Sequence, residues 1–103
     1  MKTIQNNITE KQFEQQIHDL ARRLGYKYYH TYRSKFSEPG YPDCTLLKNG
    51  RLIFAELKSE KGTPTDAQEE WLESLRRVPG VEVYLWKPGD WPTIVRILQK
   101  EDI

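Results

Sequence analysis

The chain has 103 residues, of which 30% are charged, and its 16 basic and 15 acidic side chains nearly cancel to a formal net charge of +1. Bulk electrostatics therefore do not mark it as a nucleic-acid binder, and no apolar run approaches the length of a membrane span or of a signal-peptide core. A single domain over residues 1–103 can bury a core without staples, and the lone Cys44 cannot close an internal disulfide, which favours a reducing, cytoplasmic setting.

The first helix is expected to open at Thr9, where Thr-Glu-Lys-Gln is a capping-box signature with Gln12 at N3. Phe13, Ile17, Leu20 and Leu24 form an apolar stripe at helical spacing, and Gly25 supplies the stop. A strand follows over about residues 26–32, then a polar loop over 33–40. Arg22, Arg23, Lys27, Arg33 and Lys35 cluster here, interleaved with Tyr26, Tyr28, Tyr29 and Tyr32. That mixture suits a phosphate backbone and unstacked bases, although a strand edge with amphipathic tyrosines explains any one of these residues as well.

Asn49-Gly50 is a strong hairpin signal, because a type I′ turn needs positive φ at both central residues. With these two as the loop, Lys48 faces Arg51, and the same register sets Asp43 opposite Glu56. Lys58 joins them on one face. Counted from the turn, the Asp43/Glu56 pair falls in the non-hydrogen-bonded class, whose side chains approach more closely. Opposed carboxylates repel, so a sequence serving only hairpin stability would avoid them unless a cation sat between. Cys44, Leu46, Ile53, Ala55 and Leu57 form the apolar opposite face, which makes Cys44 packing rather than a nucleophile.

Beyond Gly62 and Pro64, Thr65-Asp-Ala-Gln68 is a second capping box, opening a helix with the apolar face Trp71, Leu72, Leu75 and Val78 and ending at Pro79-Gly80. Residues 81–86 alternate as a strand, Lys87-Pro88-Gly89 is a turn, and Asp90 is placed to cap a last helix bearing Ile94, Val95 and Leu98. The order αβββαβα, with a right-handed crossover after the hairpin, predicts an α/β fold whose mixed sheet is flanked by helices. Gln68 lies on the apolar face of its helix and needs a polar partner there. The choices are a nucleophilic water, a ligand carboxylate, a substrate phosphate or nearby backbone.

Two carboxylates converging at one end of a sheet offer oxygen ligands to a hard divalent ion such as Mg2+, which takes one or two protein carboxylates and fills its shell with water and phosphate. The main-chain carbonyl of Leu57 is a further candidate ligand. Such an ion lowers the pKa of its water and neutralises phosphate charge, and the Lys58 ammonium is placed to orient that water and stabilise developing charge. His30, together with Arg33, Ser34, Lys35 and Ser37 of the loop entering the hairpin, forms the substrate-binding set; a lone histidine on such a strand is more often structural.

Pro42-Asp43, the hairpin and Glu56-Leu57-Lys58 resemble the PD-(D/E)XK nuclease signature. More narrowly, the chain is similar to stand-alone virus-type replication-repair nuclease (VRR-NUC) domains of phages and bacteria, over about residues 9–98. The matching residues are the Thr-Glu start of the first helix, Tyr29-His30-Thr31, serines before Gly40-Tyr41-Pro42-Asp43, Phe54 to Ser59, Gln68 and Trp86-Lys87-Pro88. The resemblance implies a restriction-endonuclease-like core and a Mg2+- or Mn2+-dependent deoxyribonuclease of phage or bacterial replication and repair, with Gln68 in the active site and another acid from the first helix. On a helical wheel at about 100° per residue, Glu10 falls within roughly 45° of the centre of the apolar stripe and Glu14 roughly 85° away. Glu10 also stands where the resemblance puts the acid, so the expected metal set is Asp43, Glu56, Leu57 and Glu10.

The leading reading is thus a DNA nuclease, selective for branched, flapped or nicked structures because so small a chain has little surface for sequence readout. Cutting two strands would favour a homodimer, for which Trp86 and Trp91 offer an aromatic surface. The alternatives are a non-cleaving nucleic-acid-binding module on the same fold, and an unrelated α/β domain with incidental hairpin charges. Intact Asp43, Glu56 and Lys58 argue against both and favour the nuclease.

Overall fold

The computed structural model describes residues 8–32 and 37–100. Helix α1 (Glu10–Arg23) begins in the expected capping box: the Gln12 N–H donates to Thr9 Oγ1 at 3.1 Å and the Thr9 N–H to Gln12 Oε1 at 2.9 Å. It ends before Gly25, whose φ of +92° is open to glycine at little cost. Strand β1 (Lys27–His30) is shorter than the 26–32 span expected from sequence, and runs antiparallel to β2 (Cys44–Lys48), pairing His30 with Cys44. Tyr26, before the strand, is buried and donates its hydroxyl to the Leu98 carbonyl.

The β2–β3 hairpin has the register read from its turn. Lys48 pairs with Arg51 and Cys44 with Ala55, and Asn49 and Gly50 both have positive φ. Strand β3 (Arg51–Leu57) then pairs in parallel with β4 (Val81–Trp86), giving one mixed sheet in the order β1-β2-β3-β4. Between them runs α2 (Asp66–Arg76), and after a 3-10 turn at Pro88–Asp90 comes α3 (Trp91–Gln99). The α/β order is the expected αβββαβα.

Alternation along β3 divides the interior. Ile53, Ala55 and Leu57 join Cys44, Leu46 and the apolar stripes of α1 and α3 in one core. Phe54 and Glu56 point the other way and are buried as well, so this strand is covered on both faces. Arg51 forks onto the Glu82 carboxylate and also donates to the Tyr26 hydroxyl, tying β3 to β4 and β1 at the turn end.

Three expectations are corrected. Val78 lies past the end of α2 and is 45% exposed, so the apolar face of that helix is shorter than its spacing suggested. Asp90 does not cap α3; its carboxylate accepts from the Lys87 N–H and closes the preceding turn. Trp86 is only 3% exposed, packed in the core with its ring stacked on Tyr84, and offers no surface to a second subunit.

Candidate active site

At the end of the sheet away from the hairpin turn, the next rung beyond Cys44 and Ala55 is taken by a side chain. Asp43 Oδ2 accepts from the Leu57 N–H at 2.8 Å, while the Asp43 carbonyl accepts from the Thr31 N–H at 2.8 Å. Asp43 therefore joins the ends of β1, β2 and β3. Its residue-level placement follows from the hairpin register, but its carboxylate is turned toward the β3 backbone to do the work of a ladder acceptor.

Glu56 is completely buried, and neither carboxylate oxygen has a hydrogen-bond partner. Lys58 Nζ stands 3.6 Å from Oε2, close enough to pair by charge but not to hydrogen-bond. Burial first, and the Asp43 charge after it, raise the Glu56 pKa from 4.5 to about 7 against the opposing Lys58 ammonium. Buried carboxylate oxygens without partners are costly and call for an explanation. Burial, followed by the Asp43 charge, also drives the Cys44 thiol well above its ordinary range, consistent with inert packing.

The two acids of α1 meet this end of the sheet across a cavity of about 410 Å3, lined by Glu10, Lys11, Glu14, His30, Asp43 and Leu57 together with Thr31. Glu10 is exposed at its rim. Glu14 is more buried, and its carboxylate pairs with His30 Nδ1, fastening α1 to β1. His30 also meets Tyr32 edge-on, with ring centroids 5.3 Å apart. Sequence reasoning missed the Glu14–His30 pair because no local pattern links a helix position to a strand position sixteen residues on.

On the other side of Asp43 lies a larger cavity of about 890 Å3, reached by Gln68 and Ser37. Gln68 is 5% exposed, and its Oε1 accepts from the Thr65 N–H at 2.8 Å. The backbone-capping role, set against an active-site role in the sequence, is thus present, and it leaves the NH2 end of the amide as the donor that can serve the cavity. Tyr41 and Trp71 also line it and were not foreseen; the position of Tyr41 directly before Pro42-Asp43 was the available signal.

The structure brings Asp43, Glu56, Leu57 and Lys58 to one end of the sheet, with Glu10 and His30 on one flank and Gln68 and Ser37 on the other. Arg33, Ser34 and Lys35 lie outside the described residues. The basic cluster does not converge on the acids: Lys27 pairs with Leu47 near the hairpin turn, and Arg22 and Arg23 close α1 at that same end. Nor do the tyrosines act as one group, since Tyr26 and Tyr28 turn inward while Tyr29 and Tyr32 are exposed. His18 of α1 stacks on Tyr28 with centroids 4.4 Å apart.

Among the described residues, no three His, Cys, Asp or Glu side chains are arranged to hold a metal ion. The donors nevertheless fit a hard cation that takes few protein ligands: two carboxylates close enough to raise one pKa, the buried one with both oxygens unpartnered, and Leu57 beside them.

No family model matches the sequence, and no curated protein is similar to it. A solved structure described as a VRR_NUC domain protein is similar to this chain at a TM-score of 0.69 and 22% sequence identity, covering 89% of this chain and 86% of its own. The chain thus has the fold of a VRR-NUC domain, and its described residues form a mixed four-stranded sheet with three helices consistent with a restriction-endonuclease-like core.

Proposed function

We propose that this chain is a Mg2+-dependent deoxyribonuclease, with Mn2+ as a substitute ion, that hydrolyses phosphodiester bonds in branched, flapped or nicked DNA. The observation that carries this reading is Glu56: a fully buried carboxylate with unpartnered oxygens, beside Asp43 and 3.6 Å from the Lys58 ammonium. A purely structural site would leave such a group apolar or hydrogen-bonded. The likeness to a VRR_NUC domain protein supports the same reading.

Asp43, Glu56 and the Leu57 carbonyl would hold the ion, with Glu10 of α1, which lines the same cavity as Asp43 and Leu57, as the further acid toward its hydrated shell. When bound, it supplies a water of lowered pKa and neutralises charge on the phosphate. Lys58 keeps its ammonium at the Glu56 carboxylate, where it orients the attacking water and stabilises negative charge on the phosphate oxygens. Gln68 offers its amide N–H groups to water or phosphate, and His30 and Ser37 contact substrate from either flank of Asp43. Arg33, Ser34 and Lys35 complete the phosphate contacts. A cytoplasmic role in phage or bacterial replication or repair, and a homodimer on branched DNA, belong to the same proposal; no helix among the described residues is long and apolar enough to cross a membrane.

The test incubates purified protein with labelled linear, nicked, flapped and four-way DNAs in Mg2+, in Mn2+ and in EDTA. Cleavage of a non-linear substrate is expected with either ion, abolished by EDTA and by Glu56→Gln. A protein that cleaves none of them with either ion is not this nuclease.

A further inference from the structure

The larger cavity beside Asp43 is lined by two groups of aromatic residues. One is built into the fold. The Tyr41 ring meets Trp71 edge-on with centroids 4.9 Å apart and Phe54 at 6.1 Å, and Trp71 Nε1 donates to the Pro39 carbonyl at 3.1 Å. Gly40, at φ +93°, approaches α2 so closely that a Cβ would lie 2.5 Å from the Ala67 carbonyl carbon and oxygen, so this loop is pressed onto the start of the helix. The lining also includes Tyr29 and Tyr32, residues that stay 63% and 78% exposed. Exposed tyrosines lining a cavity with a rigid aromatic wall form a stacking platform waiting for a flat partner.

A neutral base presents a π-face that stacks on such rings without needing a cation. Ser37, Thr65 and Gln68 add polar groups that suit the edge of a base. The volume, about 890 Å3, is within the usual range of small-molecule sites.

We infer that this cavity binds an unpaired nucleobase of the DNA strand whose phosphate lies at Asp43, Glu56 and Lys58; the inference rests on the nuclease reading and gives it a substrate class. A base inside a duplex is stacked on both faces and paired at its edge, so only an unpaired or extruded nucleotide can enter. The cavity thereby selects flaps, gaps and forks over continuous duplex.

The test uses the full chain with single-stranded oligonucleotides carrying 2-aminopurine at successive positions, whose fluorescence falls when the base stacks on an aromatic ring. Titrations are run in EDTA, and cleavage of flapped and fully paired DNA is measured in Mg2+. Wild type is expected to quench the probe. Tyr32→Ala and Tyr29→Ala are each expected to weaken binding about tenfold, to lose the quenching and to lose the preference for flapped DNA, while Tyr32→Phe and Tyr29→Phe retain all three. Both tyrosines are largely exposed, so these variants should fold. Cleavage and flap preference unchanged in the Ala variants would overturn the base site and leave the nuclease standing. Quenching that depends on the tyrosines in a protein that cleaves nothing would retire the nuclease reading and keep the base site. Absence of both would retire both.

Discussion

The Leu57 amide donates to the Asp43 carboxylate at 2.8 Å, so the acid proposed to hold the ion also closes the β2–β3 ladder. The two roles separate by substitution. Asp43→Asn keeps an acceptor for Leu57 and removes the charge that pushes the Glu56 pKa up. Its metal-free melting temperature is expected to equal or exceed that of wild type while cleavage is lost. Asp43→Ala leaves the buried N–H unmet and should cost about 1–3 kcal/mol. Thermal unfolding in EDTA checks both, and an Asn variant that melts as low as the Ala variant would show that the charge itself is structural.

Glu56 carries the pH dependence. Its pKa is raised from 4.5 to about 7 in the folded chain by burial, with the Asp43 charge adding to it and Lys58 opposing, so across that window the folded state binds more protons than the unfolded one. Stability without metal should therefore fall as pH rises through the window, with the loss complete above about pH 7, by at most roughly 3 kcal/mol. Glu82, held below the usual carboxylate range chiefly by its hydrogen bond from Arg51, contributes the opposite slope at lower pH. The informative quantity is the difference between wild type and Glu56→Gln in urea denaturation from about pH 5 to 8. That difference should widen with pH, and a constant one would mean that Glu56 ionises no differently on unfolding.

Glu10 and Glu14 line one cavity but differ in engagement, since Glu14 is paired with His30 and Glu10 is exposed. Glu10→Gln is expected to lower cleavage about tenfold or more with no change in melting temperature. Glu14→Gln should lower stability by no more than about 1 kcal/mol, as for a partly exposed ion pair, and spare cleavage. The reverse ranking in a cleavage assay would transfer the metal-ligand role to Glu14.

Removing the ammonium by Lys58→Ala should reduce cleavage about 100-fold or more. Metal affinity, measured calorimetrically at about pH 8, should be preserved; at lower pH the loss of Lys58 lets Glu56 keep its proton and obscures the comparison. Lost affinity with retained cleavage would reverse the assignment.

Gly40 offers a control on the cavity wall. Gly40→Ala would force a Cβ to 2.5 Å from the Ala67 backbone at a φ of +93°, a cost of order 1–3 kcal/mol or more. Reduced thermal stability together with a shifted Trp71 fluorescence spectrum is expected. A wild-type melting curve would show that the loop is free to move off α2.

Much was readable before folding because it was local. Two capping boxes at Thr9 and Thr65 formed as written, and the Asn49-Gly50 turn set a register that held to Cys44 and Ala55. Turn chemistry and side-chain periodicity act over a few residues, so they survive without knowledge of the rest of the chain. The tyrosines of β1 read as one group in the sequence, and it is the fold that turns Tyr28 inward and Tyr29 outward.

What only the tertiary structure decided depends on how elements approach one another. The sequence determined that Asp43, Glu56 and Lys58 would meet. It did not determine that Asp43 would turn to accept from Leu57, that Glu56 would lose all contact with water, or that Glu14 would be claimed by His30. Burial, and the pKa shift it causes, comes from the layers packed over a residue, and those layers are contributed by segments far away along the chain. The aromatic cavity is of the same kind: Tyr29, Tyr41 and Trp71 belong to a strand, a loop and a helix, and they line one space only because Gly40 lets the loop lie against α2.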